Sequence, residues 1–396
     1  MAQPTPTSVV ELLQMMVGVN AINRALPGSA GGEAELVDRL ENVAQQWGLS
    51  TQCLPVVDHA DQLLVTLAVH PDRPWVLFDS HLDTVAVEGM TIDPFAAELR
   101  DGKVWGRGSC DTKGTGAAML WAMKNVAASG GRDGLPNNVA LLFSVDEEIS
   151  MRGVASFTAN DLPRLGWSPA AVIVGEPTEM RPVVAHNGCL RWTLTTHGKA
   201  CHSATPHDGI SAISAMVRVI DRIEREYVPS LSAEHPLTGA AVFSVNMIRG
   251  GSAPNIIPDR CTIEIDRRLV PGEDSGQAIA EIHKLLSPLA AASPPVAFTQ
   301  QVEVDHPPLT TRYNGPLLES LIEVLARLSL PTLALGAPFA THASYFDAAG
   351  LPAVVLGPGS PHPAHTKDEW VAVEQIERGV ELYRAIMTTA LPAASR

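Results

Sequence analysis

The stretch that decides the fold is Trp75-Val76-Leu77-Phe78-Asp79-Ser80-His81-Leu82-Asp83. Its apolar first half predicts a buried strand, and α/β sheets place ligand sites at the carboxyl ends of such strands. Because alternate residues share a face, His81 and Asp83 could point together, the imidazole toward a metal and the carboxylate toward the other ring nitrogen. Taken alone, the triplet is more typical of a surface histidine beside an aspartate, by about three to one.

The same pattern recurs around this stretch, with short apolar runs separated by segments of helical periodicity. The predicted strands are Leu63 to Val69, Trp75 to Phe78, Val139 to Val145 and Ala171 to Val174. The predicted helices are Val9 to Ile22, Ala34 to Trp47 and Gly116 to Ala128. This alternation predicts an α/β core, a mixed sheet between helices.

The pattern changes near Ala185, where the order β-α-β-β-α-β predicts an α+β, ferredoxin-like module. Its strands are Leu190 to Thr196, Val242 to Ile248, Cys261 to Ile265 and Val296 to Val304, with helices at Ile210 to Tyr227 and Ser275 to Leu286. After Pro307-Pro308 the α/β pattern returns with a helix at Leu317 to Leu328, a strand at Ala353 to Leu356 and a C-terminal helix. We therefore expect a catalytic domain in two parts, 1–184 and 306–396, around an inserted domain, 185–305.

Composition limits the function classes. The net charge of −15 over 396 residues argues against a nucleic-acid or anionic-membrane partner, which would need a basic face. No apolar run reaches the ~18 residues of a membrane span, and Met1 to Val10 does not resemble a secretory signal. Five scattered cysteines without a CxxC pair are typical of reduced thiols, so a cytoplasmic location is expected.

Further acids and a histidine follow other predicted strands or glycine-rich loops. They are Asp111 in Gly106-Arg107-Gly108-Ser109-Cys110-Asp111-Thr112-Lys113-Gly114, Asp146-Glu147-Glu148 after the strand at Val139 to Val145, Glu176, and His365. The glycine-rich loop lacks the GxxxxGK[ST] spacing of a phosphate loop, and its aspartate could instead cap a helix. Acids gathered at one sheet edge repel unless cations or protons compensate them, so the set predicts a cation site.

Together the motifs resemble the dizinc family of acetylornithine deacetylase, succinyl-diaminopimelate desuccinylase, aminoacylase and carboxypeptidase G. They are SHLD, GRGSCDTKG, SVDEE, VGEPT, HGKACHS and GPGSPHPAHTKDEW. The resemblance implies a zinc-exopeptidase-like fold in which His81, Asp111 and Glu176 bind one Zn²⁺, while Asp111, Glu148 and His365 bind the other. It also implies Asp83 as the partner of His81 and Glu147 as general base.

Charge arithmetic agrees with two metals, because two Zn²⁺ carry +4 while three carboxylates and a bridging hydroxide supply −4. Carboxylate-rich sites with one imidazole each would also accept Co²⁺ or Mn²⁺. We expect hydrolysis of an amide bond in a small carboxylate-bearing N-acyl amino acid or short peptide. A zinc-bridging water would attack the carbonyl, and Glu147 would move its proton to the leaving amine. The sequence contains no GxSxG motif, the nucleophile elbow of many serine hydrolases, so a serine hydrolase is not expected.

The inserted domain resembles the family's lid and dimerisation domain. The resemblance implies that His202 stabilises the oxyanion in the active site of the opposite subunit of a homodimer. It also implies that Asn255 and Arg268 bind substrate, since a guanidinium fork suits a carboxylate. The neighbouring Arg267 is interpreted as a solvated charge on the opposite face of the strand.

Two departures from the family pattern bear on specificity. His342 stands where many relatives carry the aspartate of Thr-Asp-Ala, which could alter the substrate pocket. Glu176 is the acid of the deacetylase and desuccinylase branch, so an acetylornithine deacetylase-like deacylase is the first hypothesis. A desuccinylase, or a carboxypeptidase or dipeptidase of the same family, remains an alternative. A catalytically silent binding relative should lack the base or a ligand, and here all are present.

Overall fold

The computed structural model describes residues 5–129 and 134–391. Residues 1–4, which begin the stretch tested above for a secretory signal, lie outside the described residues. Within the described residues the helices are α1 (Val9–Val17), α2 (Gly32–Gln46), α3 (Lys113–Ala128), α4 (Arg152–Ser156), α5 (Leu162–Leu165), α6 (Ala212–Arg222), α7 (Ser275–Leu286), α8 (Gly315–Arg327), α9 (Ala343–Ala348) and α10 (Val373–Met387). A π-helical turn, Phe157–Asp161, joins α4 to α5.

The strands of the described residues are β1 (Ser50–Leu54), β2 (Gln62–Leu67), β3 (Trp75–His81), β4 (Glu98–Arg100), β5 (Lys103–Trp105), β6 (Asn138–Ser144), β7 (Ala171–Val174), β8 (Val183–His186), β9 (Gly188–His197), β10 (Cys201–His202), β11 (Glu234–His235), β12 (Gly239–Ala240), β13 (Val242–Gly250), β14 (Ile256–Ile257), β15 (Arg260–Leu269), β16 (Ala297–His306), β17 (Leu335–Ala337), β18 (Ala353–Val355) and β19 (Trp370–Ala372).

The largest sheet has the strand order β1-β2-β6-β3-β7-β18-β8-β17. It is a mixed sheet, because β6, β3, β7 and β18 run parallel while β1 and β2 pair antiparallel. Every residue of β6 is buried, as expected of a strand covered on both faces. The predicted mixed α/β fold is therefore confirmed.

Helix α3 packs against α1 and α10 and lies close to β3 and β6. A Cβ on Gly116 would come within 2.9 Å of the side chains of Phe143 and Ser80, so this approach requires glycine. The helix begins at Lys113, one turn before the predicted start near Gly116. The glycines do not delay the helix because packing against the sheet compensates their poor helix propensity.

The first predicted helix, Val9 to Ile22, is too long, because α1 ends at Val17 and Gly18 caps it. The following residues instead pair with the loop after β3: Thr84 N–H donates to the Ala21 carbonyl, and Asn23 N–H donates to the Thr84 carbonyl. Tertiary pairing thus overrides the helical periodicity. Among the described residues, every helix is too short or too polar to cross a membrane.

The chain divides into two compact units. Unit 1 takes in the described residues of Met1–Val184, Thr311–Leu335 and Thr341–Arg396 and contains the larger hydrophobic core. Unit 2 comprises Ala185–Thr310 and Gly336–Ala340. The domain limits given above and the lid role remain predictions.

Unit 2 has an antiparallel sheet in the order β13-β15-β9-β16, and the chain order is β-α-β-β-α-β. Helix α6 packs on this sheet, and the apolar residues of α7 belong to the same core. Burial alternates along β15, so one face of the strand enters the core. That face packs around Trp192 and Ile263.

Candidate metal centre

The candidate site is built at the carboxyl ends of neighbouring parallel strands of unit 1. β3 ends at His81, and Glu147 and Glu176 follow shortly after β6 and β7. Because these strands are parallel and adjacent, their carboxyl ends meet at one edge of the sheet. The topology thus brings together side chains that are far apart in the sequence.

Two groups of three side chains lie at this edge, and the ligand atoms within each group are within 4.8 Å of one another. One group is His81, Asp111 and Glu176, and the other is Asp111, Glu148 and His365. These are the two ligand sets implied by the family resemblance, and Asp111 belongs to both.

The carboxylate of Asp111 presents one oxygen to each group. Its Oδ1 lies 3.1 Å from His81 Nε2, and its Oδ2 lies 3.2 Å from His365 Nε2. His365 Nε2 also lies 3.1 Å from Glu148 Oε1, and His81 Nε2 lies 3.9 Å from Glu176 Oε1. Asp111 could therefore offer one oxygen to a cation in each group.

The glutamates of the site resist ionisation. Burial raises the pKa of Glu176 well above its ordinary value, and the charge of Asp111 raises it further. Burial likewise raises the pKa of Glu147; His81 opposes the shift, whereas Glu148 adds to it. The pKa of Glu148 is raised by burial as well. Without cations, burial and mutual repulsion therefore favour the protonated form of these glutamates.

The imidazoles compensate part of that charge. Hydrogen bonding with Asp111, and then with Glu148, raises the pKa of His365 to about 11. Burial opposes protonation of His81, but hydrogen bonds with Asp111 and Asp83 outweigh it and raise its pKa. Each histidine takes a proton where a metal ion would otherwise supply the positive charge.

The donor set fits two divalent cations. Three carboxylates and two imidazoles are ligands that Zn²⁺, Co²⁺ and Mn²⁺ all accept. The side chains of Asp111, Glu148 and Glu176 are only 13%, 5% and 9% exposed, so water screens their repulsion poorly. Cations would relieve that repulsion.

Asp83 does more than the sequence predicted. The acceptor nearest to His81 Nδ1 is the carbonyl oxygen of Asp83, at 3.0 Å, while the carboxylate lies at 3.6 Å. That carboxylate accepts the backbone N–H groups of Glu147 and Glu148 at 3.0 and 3.1 Å, and the side-chain amide of Asn23 at 2.8 Å. Although burial opposes it, the interaction with His81 lowers the pKa of Asp83 to about 2. Asp83 therefore orients both the histidine and the loop that carries the two glutamates.

His342 is buried near the site rather than exposed in it. Its Nδ1 lies 2.9 Å from Asp79 Oδ2 and 3.2 Å from Ser144 Oγ, and its ring lies 6.4 Å from that of His81. Asp79 is equally buried. The histidine thus has a carboxylate partner on β3.

A cavity of about 440 Å³ in unit 1 borders His365. Leu26, Val85 and Ile149 give it apolar walls, and Glu88 adds a carboxylate. Arg107 and Lys367 also line the cavity, so a small group that enters it meets apolar walls and charges of both signs.

The remaining predicted site residues belong to unit 2. His202 is exposed on β10, opposite Ile256 of β14, and the adjacent Ser203 N–H donates to the Asn255 carbonyl at 3.0 Å. His202 and Asn255 are thus neighbours. Arg268 lies on β15, where its guanidinium bonds Asp266 and is 29% exposed.

The interpretation of Arg267 as a solvated charge is wrong. Its side chain is 1% exposed, pairs with Glu273 and donates to the Arg268 carbonyl. The buried face of β15, with Ile263 and Ile265, continues through Arg267, which explains its burial.

A profile of the peptidase family M20/M25/M40 matches residues 77–389. The chain belongs to this family. An acetylornithine deacetylase of Proteus mirabilis is 29% identical over 383 residues, which is 94% of each chain. As an M20 family member, the chain is a hydrolase of amide or peptide bonds.

Solved structures of other proteins have the same fold. A metallo-carboxypeptidase of the M20 family from Sulfolobus solfataricus superposes with a TM-score of 0.77 at 16% identity, covering 97% of this chain and 99% of the other. A dinuclear metal-binding M20 peptidase of Bacillus subtilis gives 0.72 at 16% identity, covering 97% of each. An aminopeptidase, PepT, of Bacillus cereus gives 0.74 at 20% identity, covering 96% and 97%.

Several residues that support this M20 site escaped the sequence analysis. The side-chain amide of Asn23 donates to both Asp83 and Asp146. Glu33 is buried, and its burial, followed by the charge of Asp83, raises the pKa of Glu33 to about 8. Glu369 accepts hydrogen bonds around Asp111. Only the position of Glu369 inside the quoted motif GPGSPHPAHTKDEW could have drawn attention to it.

Proposed function

We propose that the protein is a two-metal deacylase that cleaves the amide bond of an N-acyl amino acid, in the manner of an acetylornithine deacetylase. The two ligand groups that share Asp111, with Glu147 beside them, carry this proposal. The relative in Proteus mirabilis, which matches over 94% of both chains, supports the choice of substrate.

In this proposal His81, Asp111 and Glu176 hold one Zn²⁺, and Asp111, Glu148 and His365 hold the other, with Co²⁺ or Mn²⁺ able to replace them. Such ions lower the pKa of water and polarise a carbonyl. Glu147 accepts the proton of the attacking water at its carboxylate and delivers it to the departing amine nitrogen.

Asp83 keeps Glu147 and Glu148 in different roles. It binds both of their backbone N–H groups through separate oxygens, Oδ1 for Glu147 and Oδ2 for Glu148. The peptide groups of both residues are therefore fixed by the same carboxylate. One carboxylate can then move a proton while the other stays on the metal side.

Substrate recognition is assigned to Arg268 and Asn255, which bind the carboxylate end of the substrate. Arg268 already binds Asp266 through Nε and Nη2 at 2.8 and 3.3 Å, so its planar group is oriented before substrate arrives. In the cavity beside His365, which Lys367 also lines, Glu88 is the carboxylate that we assign to the ammonium group of an ornithine side chain.

The protein acts as a homodimer in this proposal, and the surface of unit 2 supports it. β13 is an edge strand with Val242, Met247 and Ile248 exposed, and Ile213 and Val217 are exposed on α6. An apolar edge strand and helix face are covered when a second copy pairs across a two-fold axis. The five free cysteines support a cytoplasmic location.

A substrate panel tests the activity. Protein loaded with Zn²⁺ or Co²⁺ is assayed for amine release from N-acetylornithine, other N-acetyl amino acids, N-succinyl-diaminopimelate and dipeptides. We expect the highest kcat/KM for N-acetylornithine. A tenfold preference for the succinyl substrate or for dipeptides would replace the deacetylase assignment by the corresponding relative.

A mixed dimer tests the role of His202, which we propose stabilises the oxyanion in the partner's site. His202→Ala and Glu147→Ala are each expected to be nearly inactive, but a dimer of one with the other has one site with both defects and one intact site. Random exchange makes about half of the dimers mixed, so about a quarter of wild-type activity should return. Mixed dimers that form, as shown by mass tags, without regaining activity would exclude action across the interface.

A further inference from the structure

The carboxylate of Glu369 is completely buried in unit 1 and binds four donors. It accepts Arg107 Nη1 at 2.7 Å and the backbone N–H groups of Gly108, Cys110 and Asp111 at 3.0, 2.9 and 2.9 Å. Three N–H groups that converge on one point form an anion-binding concavity, and here a side chain of the same chain fills it.

Arg107 extends this contact to two further segments. Its Nη2 donates to the carbonyls of Ala86 and Thr366 at 3.1 and 3.2 Å, and its side chain is 3% exposed. The ion pair of Arg107 and Glu369 therefore ties together the loop after β3, the glycine-rich loop and the segment before β19.

Each of these segments carries a proposed metal ligand or directly follows one. The loop after β3 follows His81, the glycine-rich loop ends in Asp111, and Thr366 is next to His365. Asp111 is held most directly, because its own N–H donates to Glu369. Gly108 has a φ of +80°, and a Cβ there would come within 2.7 Å of Thr84 Cγ2, so this loop has little freedom to adopt another shape.

We propose that Glu369 is a positioning residue for the metal centre, acting through Asp111 and His365 to hold the bridging carboxylate between the two cations. This inference rests on the proposed two-metal site. A buried ion pair is costly to assemble, and apolar residues of similar volume often stabilise a core as well. The buried carboxylate of Glu369 instead fixes the positions of the groups that bind it, because only a carboxylate accepts four converging donors.

Glu369→Gln is the first test, since the amide keeps the shape but turns an NH₂ group toward donors. Metal-free protein is titrated with Zn²⁺ in a calorimeter, without substrate. We expect two binding events in the wild type and about a 10–100-fold weaker affinity for the site of Asp111, Glu148 and His365 in the variant. The Co²⁺-loaded variant should also show a changed visible absorption spectrum, which reports ligand geometry.

Asp368→Asn is the matched control, because this neighbouring carboxylate is partly exposed and binds Thr91 through its N–H and Oγ1 at 3.0 and 2.7 Å. It should lose some stability without a change in metal affinity. If Glu369→Gln unfolds more easily yet binds both metals as tightly as the wild type, Glu369 is only structural and the inference is wrong.

Arg107→Lys provides a second variant if Glu369→Gln does not fold. It keeps the charge but loses the fork that joins the three segments, so it should weaken the same site. Unchanged affinity in a folded Arg107→Lys protein would also overturn the inference. A wild type that binds no second metal would instead contradict the proposed function itself, so the two failures are distinguishable.

Discussion

Glu147→Gln and Glu148→Gln form the sharpest pair of perturbations, because the two residues are adjacent and yet have different proposed roles. Both substitutions keep the side-chain shape, and both leave the backbone N–H groups bound to Asp83. The loop should therefore keep its conformation in each variant. Any difference then comes from the carboxylate that is lost.

The expected magnitudes follow from what each carboxylate contacts. In the proposed mechanism Glu147 moves a proton, and loss of a general base costs about 10²–10⁴ in kcat, or roughly 2.7–5.4 kcal/mol of activation free energy. Glu148 Oε1 lies 3.1 Å from His365 Nε2 in a ligand group. Its loss should weaken metal binding by more than the ~10–100-fold typical of a partner outside the ligand shell.

The assay measures metal content by mass spectrometry after dialysis, and then kcat with N-acetylornithine at saturating Zn²⁺. Glu147→Gln should retain two metals and stay slow, whereas Glu148→Gln should lose metal on dialysis and recover part of its activity when Zn²⁺ is added. Exchanged phenotypes would refute the assignment of base and ligand.

Four further predictions follow from other contacts. Treatment with a chelator should abolish hydrolysis and added Zn²⁺ or Co²⁺ should restore it, whereas full activity in thoroughly metal-free protein would end the two-metal proposal. Arg268→Lys should lower kcat/KM for carboxylate-bearing substrates at unchanged metal content. Arg267→Lys should instead reduce the free energy of unfolding by about 1.5–3 kcal/mol. The opposite pattern would exchange the roles of the two arginines. The pKa of Glu33 rises from 4.5 to about 8 on folding, so the stability that depends on its protonation is complete below pH 4.5 and lost as pH rises through 8. In thermal unfolding of metal-free protein, the free energy of unfolding of Glu33→Gln should therefore rise relative to that of the wild type over this window, by on the order of 5 kcal/mol. Parallel pH profiles of the two proteins would contradict this prediction. Glu88→Gln should lower kcat/KM for N-acetylornithine about two- to fivefold and leave N-acetylnorvaline, which lacks the ammonium group, unchanged; equal losses would exclude Glu88 from recognition.

The candidate ligand sets could be predicted because the fold brings together residues that occupy equivalent places after successive strands. His81, Glu148 and Glu176 each follow an apolar strand, and adjacent parallel strands end at one sheet edge. Motif resemblance then supplied the pairing of Asp111 with His365, which no local pattern contains. The structure places these side chains within reach of one another.

Other features escaped prediction because their cause lies far along the chain. Glu369 binds a loop about 260 residues away, and neither segment alone indicates the contact. α1 stops at Val17 because the following residues pair with the loop after β3. Arg267 is different, since the alternation of Cys261, Ile263 and Ile265 already placed it on the buried face and only its charge argued otherwise.

The position of β18 in the sheet has a consequence for the order of assembly. β18 pairs with β7 although about 180 residues separate them in the chain, so the sheet is complete only after the segment beyond unit 2 has been synthesised. His81, Asp111 and Glu176 all precede unit 2, but His365 comes after β18. A nascent chain therefore contains every residue of the first candidate ligand group before unit 2 is made, whereas the second group is complete only once His365 has been synthesised.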